Sequence, residues 1–465
     1  MSWYCALGAV RYHFPDLKSL LAKASPAREG DERAGVAAHS AEQREAACVC
    51  LRDLPLRQFL EDPVLPWEDD DVSRLILETH DAAAFAPLSG WTVHQFCRWL
   101  LDDDTDGVAL AKLANGLTPE MVAAASKLLT NHELLLVASK IRVITRFRNT
   151  QGLRGHVSVR LQPDYPTDCL HGLAAPVLDG LAKGCGDAMI GIKPRTRSLS
   201  GQTFLLHVLD EIIARHGIPT QSCLFTDLPS QMEARRLHAP LDLVFQTLSG
   251  TERANRNLGA DRGVLAEARQ AALAAKRCPS QAQVVYFQTG QGTGLCPFTR
   301  HGLDQQTIEA RAYAVARAFD PFLVNTVIGR NGSTYLANTK QRVRAGLEDI
   351  FCGKLLGLPM GADVCCTDGN HEDMDILLAM LGLAGSQSLT RLPCDTEVGR
   401  PKPLSLAEDD HQLRKILGLR PAPEFEDWLF EMGIFDDVNR MAPHGRSTGL
   451  SISPWLHKLA AIQAS

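Results

Sequence analysis

Polar and charged residues recur at the ends of short apolar runs in this chain: Arg160 and Gln162, Lys193, Asp227, Gln246, Gln288, Asn325 and Asp363. A polar group in a buried strand is costly unless it is paired. Their recurrence at one end of successive runs therefore predicts a shared site. There, cations, carboxylates and carboxamides would hold a small polar molecule by hydrogen bonds and charge. For any single residue the alternative is a strand cap or a bond to the adjacent loop. No Ser-His-Asp arrangement can be argued from the spacing. TGQGTG (289–294) follows a run and offers close backbone approach to a ligand. It lacks both the Gly-x-Gly-x-x-Gly spacing and the lysine of a phosphate loop, so a tight turn is the equal alternative. DGNHEDMD (368–375) reads as an acidic loop more readily than as a metal cluster, and Cys365-Cys366 as buried structural thiols.

The elements that must position these residues are legible as a rhythm. From residue 157 onward, β-rich runs alternate with amphipathic segments: VSVRLQ (157–162), AMIGIKP (188–194), SCLFTD (222–227), LDLVFQT (241–247), QVVYFQT (283–289), FLVNTVIG (322–329), LPMGAD (358–363) and QSLTRLP (387–393). Between them, 168–183 carries an apolar face and stops at Gly184, and 200–217 carries a stripe of Val208, Leu209, Ile212 and Ile213 with Ser200 as its cap. Strand–helix alternation repeated in this way predicts an α/β fold, a (β/α)8 TIM barrel, with the polar ends converging on its catalytic mouth. Residues 1–150 read as an N-terminal helical region, clearest over Ser40 to Arg57 and Pro119 to Val143. Residues 151–418 read as the barrel and 419–465 as a short C-terminal extension. The cluster Glu68-Asp69-Asp70-Asp71 reads as a solvated loop.

With 465 residues, 45% hydrophobic and 22% charged, the chain can bury a large core, which rules out wholesale disorder. A net charge of −6 argues against nucleic-acid or anionic-membrane binding. The thirteen scattered cysteines contain no Cys-x-x-Cys pair, so neither a disulfide framework nor a zinc knuckle is expected, and a cytoplasmic location fits. MSWYCALGAV has no basic segment before its apolar stretch and predicts no signal peptide, and no apolar run is long enough to span a membrane.

Several runs taken together resemble the large, catalytic subunit of ethanolamine ammonia-lyase. They are RLQP (160–163), GDAMIGIKP (186–194), QTGQGT (288–293), FDPFLVNTVIG (319–329), RAGLEDIFCGKLLGLPMGAD (344–363) and RPAPEFEDWLFEMGI (420–434), with GDERAGVAAHSAEQREAA (30–47) and EDDDVSRLI (68–76) near the N-terminus. The resemblance implies a barrel behind an N-terminal helical region, and an adenosylcobalamin-dependent radical carbon–nitrogen lyase acting on a vicinal amino alcohol. It also implies a small partner subunit holding much of the cobalamin, a homo-oligomer of large subunits, and compatibility with a bacterial microcompartment. The absence of an Asp-x-His-x-x-Gly signature suits a family whose cofactor keeps its own base. By the same resemblance Arg160 and Gln162 match substrate-binding residues, Asp363 matches the strand-seven aspartate, Gln246 contacts the cofactor, and Pro194 lies where the cofactor approaches.

The departures from the family pattern point one way. Lys193 stands where the family has an asparagine, and Gln288 where it has a glutamate that grips amine and hydroxyl. Arg330 replaces a pocket phenylalanine, and Cys296 a serine on the cofactor side. The Asp395 to Pro403 loop does not align. Losing the glutamate removes a charge-assisted hydrogen bond worth about 1.5–3 kcal/mol. An ammonium about 4 Å from a cationic substrate costs roughly 4 kcal/mol at an effective dielectric of about 20. Together these reach roughly four orders of magnitude in affinity. The alternative for Lys193 is pairing with Asp363 or another carboxylate, away from substrate. The leading expectation is a lyase of this family whose substrate is an anionic amino alcohol. The rivals are an ordinary ethanolamine ammonia-lyase, making acetaldehyde and ammonia, and a non-catalytic paralogue with a structural or regulatory role.

Overall fold

The computed structural model describes residues 1–163, 170–277, 279, 282–293, 298–329, 336–365, 371–392, 405–437 and 440–441. Arg330, Cys296, Cys366 and the 395–403 loop lie outside them.

The eight expected runs each supply a strand: β1 Arg160–Leu161, β2 Met189–Ile192, β3 Ser222–Leu224, β4 Val244–Thr247, β5 Val285–Thr289, β6 Leu323–Ile328, β7 Met360–Cys365 and β8 Leu389–Leu392. They form two all-parallel sheets, β1-β2-β3 and β4-β5-β6-β7-β8. Isolated parallel bridges Cys223↔Leu243 and Ser158↔Ser388 join the sheets at both edges. Helices follow the strands: α1 Leu170–Ala182, α2 Leu199–His216, α3 Leu228–Arg236, α4 Arg262–Ala274, α5 Gln305–Arg317, α6 Thr339–Leu355, α7 His371–Leu383 and α8 Ser405–Leu417. Parallel strands covered on their outer faces by helices read as near-continuous apolar runs, which explains why they stood out in the sequence.

Residues 1–150 are mainly helical, as expected, with three local differences. An antiparallel hairpin, Trp3–Leu7 with Val10–Phe14, opens the chain around Gly8 at φ 60°. The Pro119 to Val143 stretch is two helices, Pro119–Leu128 and Asn131–Lys140. They part because Thr130 caps the second in a reciprocal box with Glu133. Asp70 is not solvated. It is buried, caps the helix Asp71–Glu78, and pairs with Arg311 of α5 at 2.7 Å. Lys127–Asp304 at 2.9 Å and Arg300–Asp31 at 2.6 Å are further buried pairs between this region and the segment leading into α5. A single apolar core runs from Phe14 through these helices to β4–β8, so the N-terminal helices and the larger sheet stabilise each other. A second core gathers α1, α2, β1–β3 and the helix Pro423–Glu431. The cap of α2 is Ser198, two residues before the expected Ser200, and Gly217 ends that helix in the left-handed region as expected.

Candidate active site

Arg160 leaves β1 with its guanidinium buried and donates from Nη1 to Asp363 Oδ2 at 2.7 Å and to the Tyr286 hydroxyl at 2.6 Å. The guanidinium lies 5.0 Å from the ring centroid of Phe225, a cation–π distance. Gln288 Nε2 donates to Asp363 Oδ2 at 3.1 Å, and Asn325 Nδ2 to Asp363 Oδ1 at 2.9 Å. Four strands, β1, β5, β6 and β7, thus converge on one carboxylate. Burial alone would lower the Arg160 pKa, but the Asp363 charge and the bonds to Asp363 and Tyr286 hold it above its ordinary value. Burial pushes the Tyr286 phenol well up, so it stays neutral.

Strand register explains the convergence. Gln288 pairs with Asn325, Asn325 with Gly361, and Val327 with Asp363, so alternate residues of β5, β6 and β7 share the inner face. Tyr286 and Gln288 are two apart and face the same way, while Phe245 and Phe225 complete an aromatic floor. Gly361 is required beside Asn325: a Cβ there would run into Asn325 Oδ1. Gly361→Ala is therefore expected to displace Asn325 from Asp363 and to destabilise the fold by about 1–3 kcal/mol, the cost of overpacking. A thermal melt with a parallel activity assay checks this.

The other expected site residues are placed as follows. Gln162 is half-buried just beyond β1. Lys193 is exposed beyond β2, with Pro194 half-buried next to it, and Lys193 makes no ion pair among the described residues. The pairing of Lys193 with Asp363 is thus not what the structure contains; Asp363 is taken by Arg160, Gln288 and Asn325. Gln246 pairs in register with Phe287, on the sheet face opposite to Gln288, and donates to the Thr247 and Leu258 carbonyls at 2.9 and 3.0 Å. Asp227 is a helix cap, accepting from Ser230 N at 2.9 Å. The glycine-rich run after β5 forms a tight turn over its described part, closed by Thr293 N to Gly290 O at 2.7 Å. Sequence reasoning missed Tyr286 and the role of Asn325 as a ligand of Asp363. The signal was available in Tyr286 and Gln288, which stand two apart in QVVYFQT.

A cavity of about 880 Å³ lies elsewhere, between the N-terminal helices and the start of α6. Of its basic lining residues, Arg28 and Arg344 pair with Glu348 and Lys127 with Asp304, and none of the expected site residues lines it. Among the described residues no helix is long and apolar enough to cross a membrane. Among the same residues, no group of three or more His, Cys, Asp and Glu could hold a metal ion.

A buried polar cluster carried on the inner face of parallel strands, with helices outside, is the arrangement of an α/β enzyme. The family model for the ethanolamine ammonia lyase large subunit (EutB) matches residues 12–444. The ethanolamine ammonia-lyase large subunits of Escherichia coli (strain K12) and Salmonella typhimurium (strain LT2) are each 39% identical over 428 residues, covering 91% of this chain and 94% of theirs. The chain belongs to the ethanolamine ammonia-lyase large-subunit family, a family of carbon–nitrogen lyases.

Proposed function

We propose that the chain is the large subunit of an adenosylcobalamin-dependent radical ammonia-lyase whose preferred substrate is an amino alcohol bearing an anionic group. The strands close into a (β/α)8 barrel on this reading, which the parallel bridges at both sheet edges support. Residues 1–150, 151–418 and 419–465 are then the helical region, the barrel and the extension. The observation that carries the substrate reading is charge balance. The one carboxylate of the described cluster, Asp363, is already neutralised by Arg160, Gln288 adds no charge, and Lys193 adds a positive one at the rim. Such a site has no surplus negative charge to offer a cation.

In this role Asp363 accepts from the substrate hydroxyl or amine through the lone pair of Oδ1 that Asn325 leaves open. Arg160 and Asn325 fix the carboxylate so that it costs no reorganisation when substrate arrives. Gln288 spends its amide nitrogen on Asp363, and its carbonyl oxygen remains to accept from substrate. Gln162 and Lys193 line the approach, with Lys193 binding the anionic group; Arg330, which the family resemblance assigns to the pocket, would bind it too, since an arginine fork suits a carboxylate or phosphate. Bound adenosylcobalamin supplies the radical chemistry. Pro194 and Cys296 would hold the cofactor together with a small subunit, whereas Gln246, expected to contact it, has its amide on the opposite sheet face, donating to the Thr247 and Leu258 carbonyls. Large subunits would assemble as a homo-oligomer in the cytoplasm, free or in a microcompartment.

Titrating adenosylcobalamin into the chain, alone and with the small subunit, tests the reading through the visible spectrum. Weak binding alone and tight binding in the complex are expected. No binding under either condition would leave the non-catalytic paralogue.

A further inference from the structure

We propose that Glu309 and Asp349 are positioning residues that grip β5 and β6 from behind the sheet and so set the amides of Gln288 and Asn325 on Asp363. The proposal rests on the reading of Gln288, Asn325 and Asp363 as the substrate site. Glu309 stands on α5 and Asp349 on α6, both buried. Gly290 N donates to Glu309 Oε2 at 3.0 Å, and Gln291 Nε2 donates to Asp349 Oδ1 at 2.8 Å. Thr326 Oγ1 donates to Asp349 Oδ2 at 2.7 Å. The two carboxyls therefore hold residues two and three beyond Gln288, and the residue directly after Asn325. Gly290 adopts φ 156° and a Cβ there would press on the Val327 carbonyl, so the turn that these carboxyls hold needs a glycine, the most permissive residue, and gains its order from the bonds they make.

Two buried carboxyls are an expensive way to satisfy a turn, since a neutral amide in place of Asp349 would still accept from Gln291 and could donate to the Thr326 hydroxyl once that hydroxyl turns to accept. Neither makes an ion pair among the described residues, and Arg28, the cation whose field reaches Asp349, is bound to Glu348. The groups facing the pair are Tyr313 from α5, Glu348 and Cys352 from α6, Thr289 at the end of β5 with Gly290 and Gln291 after it, and Thr326 from β6. None supplies a compensating charge. Burial raises Glu309 to about 7 and, with Glu309 beside it, raises Asp349 well above the carboxylate range. The raised pKa values favour the protonated form of each carboxyl. Once both protons are lost, two buried anions repel across the turn they hold.

Folded carboxyls with raised pKa bind protons that the unfolded chain has released, so stability falls as pH rises above about 4, where the unfolded groups ionise. The fall continues through the raised folded values. The test compares the wild-type chain with Asp349→Asn and Glu309→Gln. In denaturant melts across pH 4 to about 9, the wild-type decline is expected to be flatter in each variant. The protection of the Gly290 amide, its exchange rate relative to the intrinsic rate at each pH, is expected to fall as pH rises in the wild type and to stay level in Asp349→Asn. In the complex with small subunit and adenosylcobalamin, the alkaline limb of kcat/KM is expected to move to higher pH in Asp349→Asn. Asp349→Ala, which leaves Gln291 and Thr326 unpaired, is expected to lose about tenfold in kcat/KM where Asp349→Asn does not. Unchanged pH slopes of stability and exchange in both variants would overturn the proposal, as would an Asp349→Asn complex with the wild-type pH profile. If the wild-type complex releases no ammonia from any amino alcohol, the proposed function fails, and the melts and the exchange still decide whether the pair holds the turn.

Discussion

Asp363→Asn is expected to abolish turnover and to lower the unfolding free energy by about 3–5 kcal/mol, the cost of leaving one partner of a buried ion pair uncompensated. The substitution preserves shape but not chemistry. Asp363 accepts from Arg160, Gln288 and Asn325. An asparagine presents one acceptor and one donor, so one amide group must face a donor and the Arg160 charge loses its partner inside the protein. Denaturant unfolding of the chain measures the first effect and ammonia release by the complex the second. An Arg160→Met, Asp363→Leu double variant separates them. Replacing both charges by apolar groups of similar volume is often neutral or better for stability, so the fold is expected to recover and turnover to stay absent. Turnover near wild type in Asp363→Asn would remove Asp363 from the site.

The Lys193→Asn, Gln288→Glu double variant is expected to raise kcat/KM for ethanolamine by roughly two to three orders of magnitude relative to an anionic amino alcohol. Gln288 supplies the larger share. Its amide touches Asp363 and is half-buried, so a charged acceptor there gains about 1.5–3 kcal/mol with an ammonium. Lys193 is exposed, so its Coulomb share shrinks from the roughly 4 kcal/mol of a half-buried pair to about 1 kcal/mol in water. The single variants should therefore rank Gln288→Glu above Lys193→Asn. The reverse order would mean that Lys193 folds inward on binding and meets the substrate.

Strand positions were legible because parallel strands buried on both faces leave unbroken apolar runs. Their ends were less so. VSVRLQ shrinks to Arg160–Leu161 because Val157 N bonds the Arg420 carbonyl and Val159 N the Asp187 carboxylate rather than a neighbouring strand. LPMGAD instead extends to Cys365, because the ladder of β7 with β6 and β8 continues past Asp363. Arg160, Gln288 and Asp363 were legible as polar strand ends, yet nothing local says that Arg160 pairs with a residue 203 positions away. Gln246 shows the limit of the strand-end argument. One step of alternation puts its amide on the outer face with Phe287. Asp70 shows another: four acids in a row look solvated, and only the fold brings Arg311 to meet one of them.

The most direct test of the account is the kcat/KM of the complex, reconstituted with adenosylcobalamin and small subunit, for ethanolamine against phosphoethanolamine, serine-like amino acids and similar anionic amino alcohols. The account predicts ammonia release that favours an anionic substrate. Turnover of ethanolamine at about 10⁴ M⁻¹s⁻¹ or more, an efficiency typical of enzymes acting on their own substrates, would contradict it.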